Sequence, residues 1–393
     1  MARQWVIAPP WQGCLEMAAG LRVSPLVAQV LHNRGFRTVD EARRFLDPQL
    51  TDLHLPETLP GITAAADRIA QAARRRERMV IYGDYDVDGM TGIAILWHCL
   101  RIAGVACDFY VPHRIEEGYG LNTEAIERLA SEGVRLIVTV DCGITACEQA
   151  HRARELGVDV IITDHHAAPP ILPEACAIVH PGLGDYPNPH LSGAGVAMKL
   201  AWAVAQRLTP GFVGSVSPEF REFLLEATSL VALGTIADVV PLVGENRVLA
   251  RFGLIGLRSC RLPGIQALIE SAGLQGERLN TYHVGFVLAP RLNAIGRMGH
   301  ARLAVELLTR ADATRAREIA LYLEQQNRQR QAIEKKHAGQ ARRMVFEVGM
   351  DRDARRGIVL AREGWHAGVI LSLIHISEPT RLLSISYAVF CLK

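Results

Sequence analysis

An α/β fold built on a parallel sheet is predicted for this chain by three observations. Short apolar runs alternate with helix-like segments, and strand–helix–strand alternation implies parallel βαβ units. Three of those runs stop at acidic or histidine residues: Met79–Tyr82 before Asp84, Arg135–Val140 before Asp141, and Asp159–Thr163 before Asp164, His165 and His166. In parallel sheets ligands bind beyond the carboxyl ends of the strands, so such residues would gather at one edge. Finally, Thr314–Val345 reads as one long polar helix, and a helix this polar commonly bridges domains. The full expectation is a parallel-sheet domain with flanking helices, a long connecting helix, and the start of a truncated second α/β lobe.

Composition bounds the rest. A chain of 393 residues suggests two or three domains, and 49% hydrophobic with 21% charged residues fits a globular protein. A net charge of +2 neither supports nor excludes nucleic-acid binding, so any binding groove must be a local patch. The cysteines are scattered without a CxxC pair, which suggests neither a zinc knuckle nor a disulfide framework and fits a reducing cytosol. The start, MARQWVIAPPW, lacks a basic-then-apolar signal pattern, and no uninterrupted apolar stretch is long enough for a bilayer. A cytoplasmic protein without a membrane partner is expected.

Residues 1–60 read as a helical leader, with Ser24 capping a helix through Leu31 and a second helix over Val39–Leu46. Ala64–Arg78 is an amphipathic helix ending in RRRER; its arginines could touch phosphate or simply be a solvated helix end. Then comes MVIYGDYDVDGMTG. A buried strand ends at Gly83, Asp84, Asp86 and Asp88 follow at every second residue, and a helix starts at about Thr91. Carboxylates packed this tightly repel one another and resist desolvation, so the cluster calls for a cation. Hard oxygen ligands suit Mg²⁺ or Mn²⁺.

A strand over Ala106–Val111 leads into PHRIEEGYGLN. Arg114 offers a planar fork for a terminal phosphate, or a partner for Glu116 or Glu117. Tyr119 offers a stacking face for a base, or mere packing. Helices are expected over Thr123–Glu132 and Ala146–Leu156. Cys142 and Cys147 read as small packing residues, and His151 and His180 as ordinary polar histidines. In LSGAGVA, Gly193 and Gly195 let the chain turn tightly before a helix over Val196–Leu208, whose exposed amides could receive a phosphate or serve packing alone. Helices follow over Phe223–Thr235, Val248–Leu257 and Gly264–Ala272. Arg291, Asn293 and Arg297 then lie on an apolar loop, where they could bind phosphate or pair with acidic neighbours. From Arg310 to Arg356 there are 12 Lys and Arg against 7 Asp and Glu, about +5. A strand, GIVLA, is expected at Gly357–Ala361.

GDYDVDG, VDCG, TDHH and LGTIADVVPL, in that order and at sensible spacing, resemble the motifs of the DHH phosphoesterases. PHRIEEGYGLN, LSGAGVA and RLNAIGRM make the chain most similar to that family's bacterial single-strand-specific 5′→3′ DNA exonucleases, over roughly residues 20–370. The resemblance implies a two-ion hydrolase of DNA repair and recombination using Mn²⁺ or Mg²⁺. Asp88, Asp141, His165 and Asp238 would hold one ion; Asp84, Asp86 and a bridging Asp141 the other. It further implies His166 facing the phosphate, Asp164 orienting a histidine, Arg114 at the 5′-phosphate, Tyr119 near the terminal nucleotide, and Gly193, Gly195, Arg291, Asn293 and Arg297 along the substrate. The expected partner is single-stranded DNA with a 5′ end, together with a single-strand-binding protein or helicase; a monomer is expected.

The divisions that follow are a leader (1–60), a catalytic domain (61–245), its helical extension (246–313), the connecting helix (314–346), and the start of the DHH-associated domain (347–370). From Leu371 the family pattern breaks, and LSLIHISEPTR reads as a translated sequencing adapter. Residues 371–393 are therefore expected to be a non-native tail, with the rest of the second lobe missing. Two competing readings are a nanoRNA or cyclic-dinucleotide phosphodiesterase of the same superfamily and a non-catalytic DNA-binding scaffold.

Overall fold

The computed structural model describes residues 6–114, 116–209, 215–298 and 300–349, and beyond them 358, 360–366 and 369. Of the expected strand at 357–361 only 358, 360 and 361 are described, and none of them is in a strand; the opening of the second lobe is described at 362–366 and 369, and the tail 371–393 lies outside the described residues.

Three helices form the leader: α1 (Cys14–Leu21), α2 (Pro25–Asn33) and α3 (Val39–Leu46). They close on a small core of Met17, Ala18, Ala28, Leu31 and Ala42. Ser24 caps α2, and Thr38 and Glu41 form a capping box on α3, so both starts are written in the local sequence. The sheet layer alternates α4 (Ile62–Arg75), β1 (Met79–Gly83), α5 (Val87–Ile102), β2 (Cys107–Tyr110), α6 (Thr123–Ser131), β3 (Leu136–Val140), α7 (Cys147–Glu155), β4 (Asp159–Thr163) and β5 (Ala177–Val179). The strands pair in parallel in the order β2-β1-β3-β4-β5. Chain order therefore reverses between β1 and β3, the place where a doubly wound sheet opens a crevice at its carboxyl edge.

Helices cover both faces. Met79, Ile81, Leu136 and Val138 point into the larger core, while Val80, Tyr82, Ile137 and Ile162 point into the smaller one beneath α6 and α7. Burial on both sides explains why these strands read as continuous apolar runs. The larger core is completed by α8 (Gly193–Leu208), α9 (Pro218–Ala237), α10 (Gly244–Gly256), α11 (Pro263–Ser271), α12 (Ala289–Arg297), α13 (Ala301–Thr309) and the long α14 (Ala313–Glu347).

Two expectations need correction. The helix after β1 begins at Val87 rather than near Thr91, because Asp86 caps it by accepting the amides of Asp88 and Gly89. The segment carrying Arg291, Asn293 and Arg297 is helical, not a loop: a π-helical turn (His283–Leu288) runs directly into α12. Pro290 falls where the π-helical turn changes to α12, and the segment stays helical through it.

A buried ion pair ties the leader to the core. Lys199 on α8 and Glu245 on α10 pair while only 2% and 0% exposed. Lys199 also donates to the His54 carbonyl, and Glu245 accepts from the His54 amide and the Tyr186 hydroxyl. Removing one partner strands the other charge away from water, which costs about 3–5 kcal/mol. Lys199→Ala should therefore lower unfolding free energy by about that much in chemical denaturation. Arg43→Ala, at the exposed Asp40–Arg43 pair, should cost under about 1 kcal/mol. Equal small losses would contradict this assignment.

Candidate metal centre

The carboxyl edge of the sheet carries the centre. Hydrogen bonding continues one residue past each strand: Asp84 N donates to Val140 O at 3.2 Å, Asp141 N to Thr163 O at 3.0 Å, and Asp164 N to Val179 O at 3.2 Å. Each carboxylate-bearing residue is thus pinned by the neighbouring strand. Asp141 adopts a left-handed backbone with φ of 62°, a conformation that costs energy and clusters at functional sites. Close approach sets the glycines. A Cβ on Gly193 would lie 2.6 Å from Asp141 Oδ1, and one on Gly89 would lie 2.8 Å from the Asp84 amide nitrogen.

Ligand-capable atoms of Asp84, Asp86 and Asp141 lie within 4.8 Å of one another, as do those of Asp88, His165 and Asp238, and those of Asp141, His165 and His166. His165 Nε2 is 3.0 Å from Asp141 Oδ1, 3.6 Å from Asp238 Oδ2 and 3.7 Å from Asp88 Oδ2. The two expected ligand groups are therefore adjacent, with Asp141 between them. Asp84, Asp88 and Asp141 are 3%, 1% and 1% exposed. Buried Asp84 Oδ1, Asp141 Oδ1 and His165 Nε2 have no hydrogen-bond partner. Orphaned, buried, hard donors of this kind fit a divalent cation, and oxygen with one or two imidazoles suits Mn²⁺ or Mg²⁺.

The electrostatics follow from crowding. Burial, then the charge of Asp86, pushes Asp84 up to about 8. Burial followed by the neighbouring aspartates raises Asp88 and Asp141 well above the usual carboxylate range. Asp238, at the carboxyl end of α9, rises to about 6 through burial and then Asp86. The two histidines move in opposite directions. Burial, then the charge of His166, lowers His165 to about 4, leaving it neutral and fit to coordinate. A 2.7 Å hydrogen bond to Asp164 raises His166 to about 9. Burial works to raise Asp164, but bonds from His166 and the Ile144 amide hold it down.

Beside the carboxylates lies a cavity of about 350 Å³ lined by Asp84, Tyr85, Asp86, Arg114, Tyr119, His166, Ala237, Asn293 and Arg297. Arg114 stacks over the Tyr85 ring at 5.0 Å, and the Tyr119 hydroxyl reaches the Asp141 carbonyl at 3.3 Å. Asn293 Oδ1 accepts the Val87 amide, which anchors the start of α5.

Three expected substrate residues are not at this cavity. Arg291 forms an ion pair with Glu324 of α14 at 2.7 Å and donates to Val287 O, so its charge is already paired inside the protein. Gly193 and Gly195 lie inside the first turn of α8, not ahead of the helix. The Gly193 and Ala194 amides donate to Asp88 at 2.5 and 3.0 Å, and the Gly195 amide to Ser192. That helix end receives the protein's own carboxylate instead of a phosphate. The arginines of RRRER sit at the opposite, amino edge of β1, where Arg78 pairs with Glu132 and Asp108. Sequence reasoning missed Tyr85, although it lies between two predicted ligands. It also passed over His180, which is 3% exposed, accepts the Gly182 amide at Nδ1, and donates from Nε2 to the His166 carbonyl at 2.7 Å.

The model of the DHH family N-terminal domain matches residues 78–235. The single-stranded-DNA-specific exonuclease RecJ of Bacillus subtilis is 42% identical over 370 residues, covering 93% of this chain and 45% of that protein. A solved structure, exonuclease RecJ bound to manganese, superposes with a TM-score of 0.72 at 35% identity, covering 84% of this chain and 78% of that one. The chain belongs to the RecJ branch of the DHH family. A second RecJ structure, from Thermus thermophilus in complex with Mn²⁺, gives a TM-score of 0.78 at 34% identity, covering 94% of this chain and 51% of that one. RecJ of Escherichia coli is 36% identical, with 60% of its length covered. The chain thus spans about half the length of the curated RecJ relatives it matches.

The raised carboxyls predict how stability follows pH. The folded midpoints of Asp84 and Asp238 lie above their unfolded values near 4. Their protonation therefore stabilises the metal-free fold at acid pH, and that contribution is lost as pH rises through about 6 and about 8. Metal-free protein should melt at progressively lower temperature from about pH 4 to 8. Added Mn²⁺ should restore the midpoint increasingly over the same range and release protons on binding, read by calorimetry in buffers of different ionisation enthalpy. A pH-independent Mn²⁺ effect would contradict the account.

Proposed function

We propose that this chain is a metal-dependent 5′→3′ exonuclease acting on single-stranded DNA. The observation that carries the reading is the pair of adjacent ligand groups sharing Asp141, set beside a cavity whose opposite wall is basic and aromatic. Its similarity to RecJ proteins, named as single-stranded-DNA-specific exonucleases, supplies the substrate class, and a setting in repair and recombination is the one the family resemblance implies.

In this reading Asp84, Asp86 and Asp141 would hold one ion, and Asp88, Asp141, His165 and Asp238 the other. Two such ions, when bound, would supply activation of a water and stabilisation of the leaving oxygen of a phosphodiester. Mn²⁺ is preferred over Mg²⁺ because imidazole joins the carboxylates. The residues around the ions bind and orient. His166, kept protonated by Asp164, presents an N–H to a phosphoryl oxygen as negative charge develops there. His180 holds the backbone of His166 in place. Arg114 and Arg297 face the terminal 5′-phosphate, where Arg114 supplies a planar fork. Tyr119 and Tyr85 give the terminal base its stacking faces. The 5′→3′ polarity rests on the family resemblance, with Arg114 and Arg297 on the cavity wall for a terminal phosphate.

Asp141→Ala should lower kcat on a 5′-phosphorylated single strand by about a thousandfold or more while leaving the fold intact by circular dichroism. Unchanged turnover would place the chemistry elsewhere. Arg114→Ala should raise KM about tenfold for a 5′-phosphorylated strand and erase its advantage over a 5′-hydroxyl strand. Faster turnover of dinucleotides than of long single strands would favour a nanoRNA or cyclic-dinucleotide phosphodiesterase.

A further inference from the structure

The carboxylates of the metal centre are not all held in the same way. Asp84 and Asp141 sit on backbone pinned by a neighbouring strand, and Asp88 accepts two amides of α8. Asp238 follows the last turn of α9, and its side chain is 24% exposed. Among the described residues no hydrogen bond reaches its carboxylate. Its position is therefore set by the end of α9 and by the loop that follows.

That loop is strained. Val239 has a φ of 62° and is 85% exposed. Glycine is usual at a left-handed turn after a helix, and a β-branched side chain there is unfavourable. Such a conformation persists only where the surroundings over-determine it. Here α10 supplies the restraint. Asn246, in the first turn of α10 and 0% exposed, donates from Nδ2 to the Pro241 carbonyl at 3.1 Å and to the His190 carbonyl. Its Oδ1 accepts from Asn188 Nδ2 at 3.4 Å. Pro241 lies three residues after Asp238, and His190 three before Gly193, whose amide holds Asp88. One buried side chain thus joins the two segments that place Asp88 and Asp238. Pro241 and His190 are themselves exposed residues, so what the buried amide fixes is their spacing.

The same two segments meet again where Ser192 Oγ and Thr235 Oγ1, both fully buried, lie 2.8 Å apart. They pack so closely that a Cβ on Gly234 would lie 2.4 Å from Asp88 Oδ1. The residue before Asn246, Glu245, ties the same turn of α10 to Lys199 and to the His54 amide, so Asn246 stands on a fixed element.

We propose that Asn246 is a positioning residue for the metal centre. Through the Pro241 carbonyl it holds the loop behind Asp238, and through the His190 carbonyl the approach to the amides that hold Asp88. The two carboxylates thereby keep the separation that one shared ion needs. The inference rests on the reading of Asp88, His165 and Asp238 as ligands of that ion. Outer hydrogen bonds of this kind are worth about ten- to hundredfold in metal affinity. Asp84, Asp86 and Asp141 are carried by β1, β3 and the start of α5, none of which Asn246 bonds, so their ion is indifferent to it.

The test is calorimetric Mn²⁺ titration of the full chain and its variants, with melting midpoints recorded for the metal-free proteins. The parent should take up two ions. Asn246→Ala should weaken one of them about tenfold or more and leave the other unchanged. Asp238→Asn should weaken the same ion, and adding Asn246→Ala to it should cost no further affinity, because both changes act through one carboxylate. Val239→Gly should melt no lower than the parent, since glycine relieves left-handed strain, yet should weaken the same ion. A merely structural loss would instead lower the midpoint along with affinity and spare neither ion. Weakening of both ions by Asn246→Ala, or a loss that persists in full on the Asp238→Asn background, overturns the positioning role. So does parent-like affinity in Asn246→Ala or, should that variant not fold, in Val239→Gly. A parent that binds no Mn²⁺ removes the ligand reading itself, and the positioning role with it.

Discussion

Like-charge crowding at the end of a parallel sheet is the constraint on which this structure depends. Asp84, Asp88 and Asp141 are removed from water within reach of Asp86 and Asp238. Among the described residues nothing neutralises them fully. The α8 amides bind Asp88, and His166 is already held by Asp164. Unpaired buried carboxylates are costly, so the fold supplies rigidity to hold them. Strand-to-strand bonds pin each one, Asp141 accepts a left-handed backbone, and Gly89 and Gly193 remove the side chains that would collide. A divalent cation converts this strain into binding energy.

The same economy of placement explains the two adjacent histidines. One residue of separation at the end of β4 puts His165 among buried carboxylates and His166 at the cavity wall. Burial makes the first a neutral donor; a carboxylate partner makes the second a cation. Neither behaviour is a property of histidine alone.

Much of this was legible in the sequence because parallel strands buried on both faces read as apolar runs, and their carboxyl ends are where polar residues must collect. The Ser24 and Thr38 caps and the aspartates at alternate positions after β1 carry strong local signals. What was illegible depended on tertiary partners. Gly193 and Gly195 look like a phosphate-binding turn until Asp88, from another segment, is seen to occupy the Gly193 and Ala194 amides and Ser192 that of Gly195. Arg291 looks like a substrate residue until Glu324, more than thirty positions on, claims it. The helical state of the segment around Pro290 was masked by its glycines and proline, which local propensity reads as breakers. His180 carries no local signal at all; its role exists only through the carbonyl it holds.

α12 and α14 then brace the centre. Asn293 anchors the start of α5, and Arg291 ties α12 to α14. The central claim is that two divalent ions share Asp141. Anomalous diffraction from crystals grown with Mn²⁺ tests it most directly. The account predicts two peaks, one bounded by Asp84, Asp86 and Asp141 and the other by Asp88, Asp141, His165 and Asp238. A single peak, or peaks that Asp141 does not touch, would contradict it.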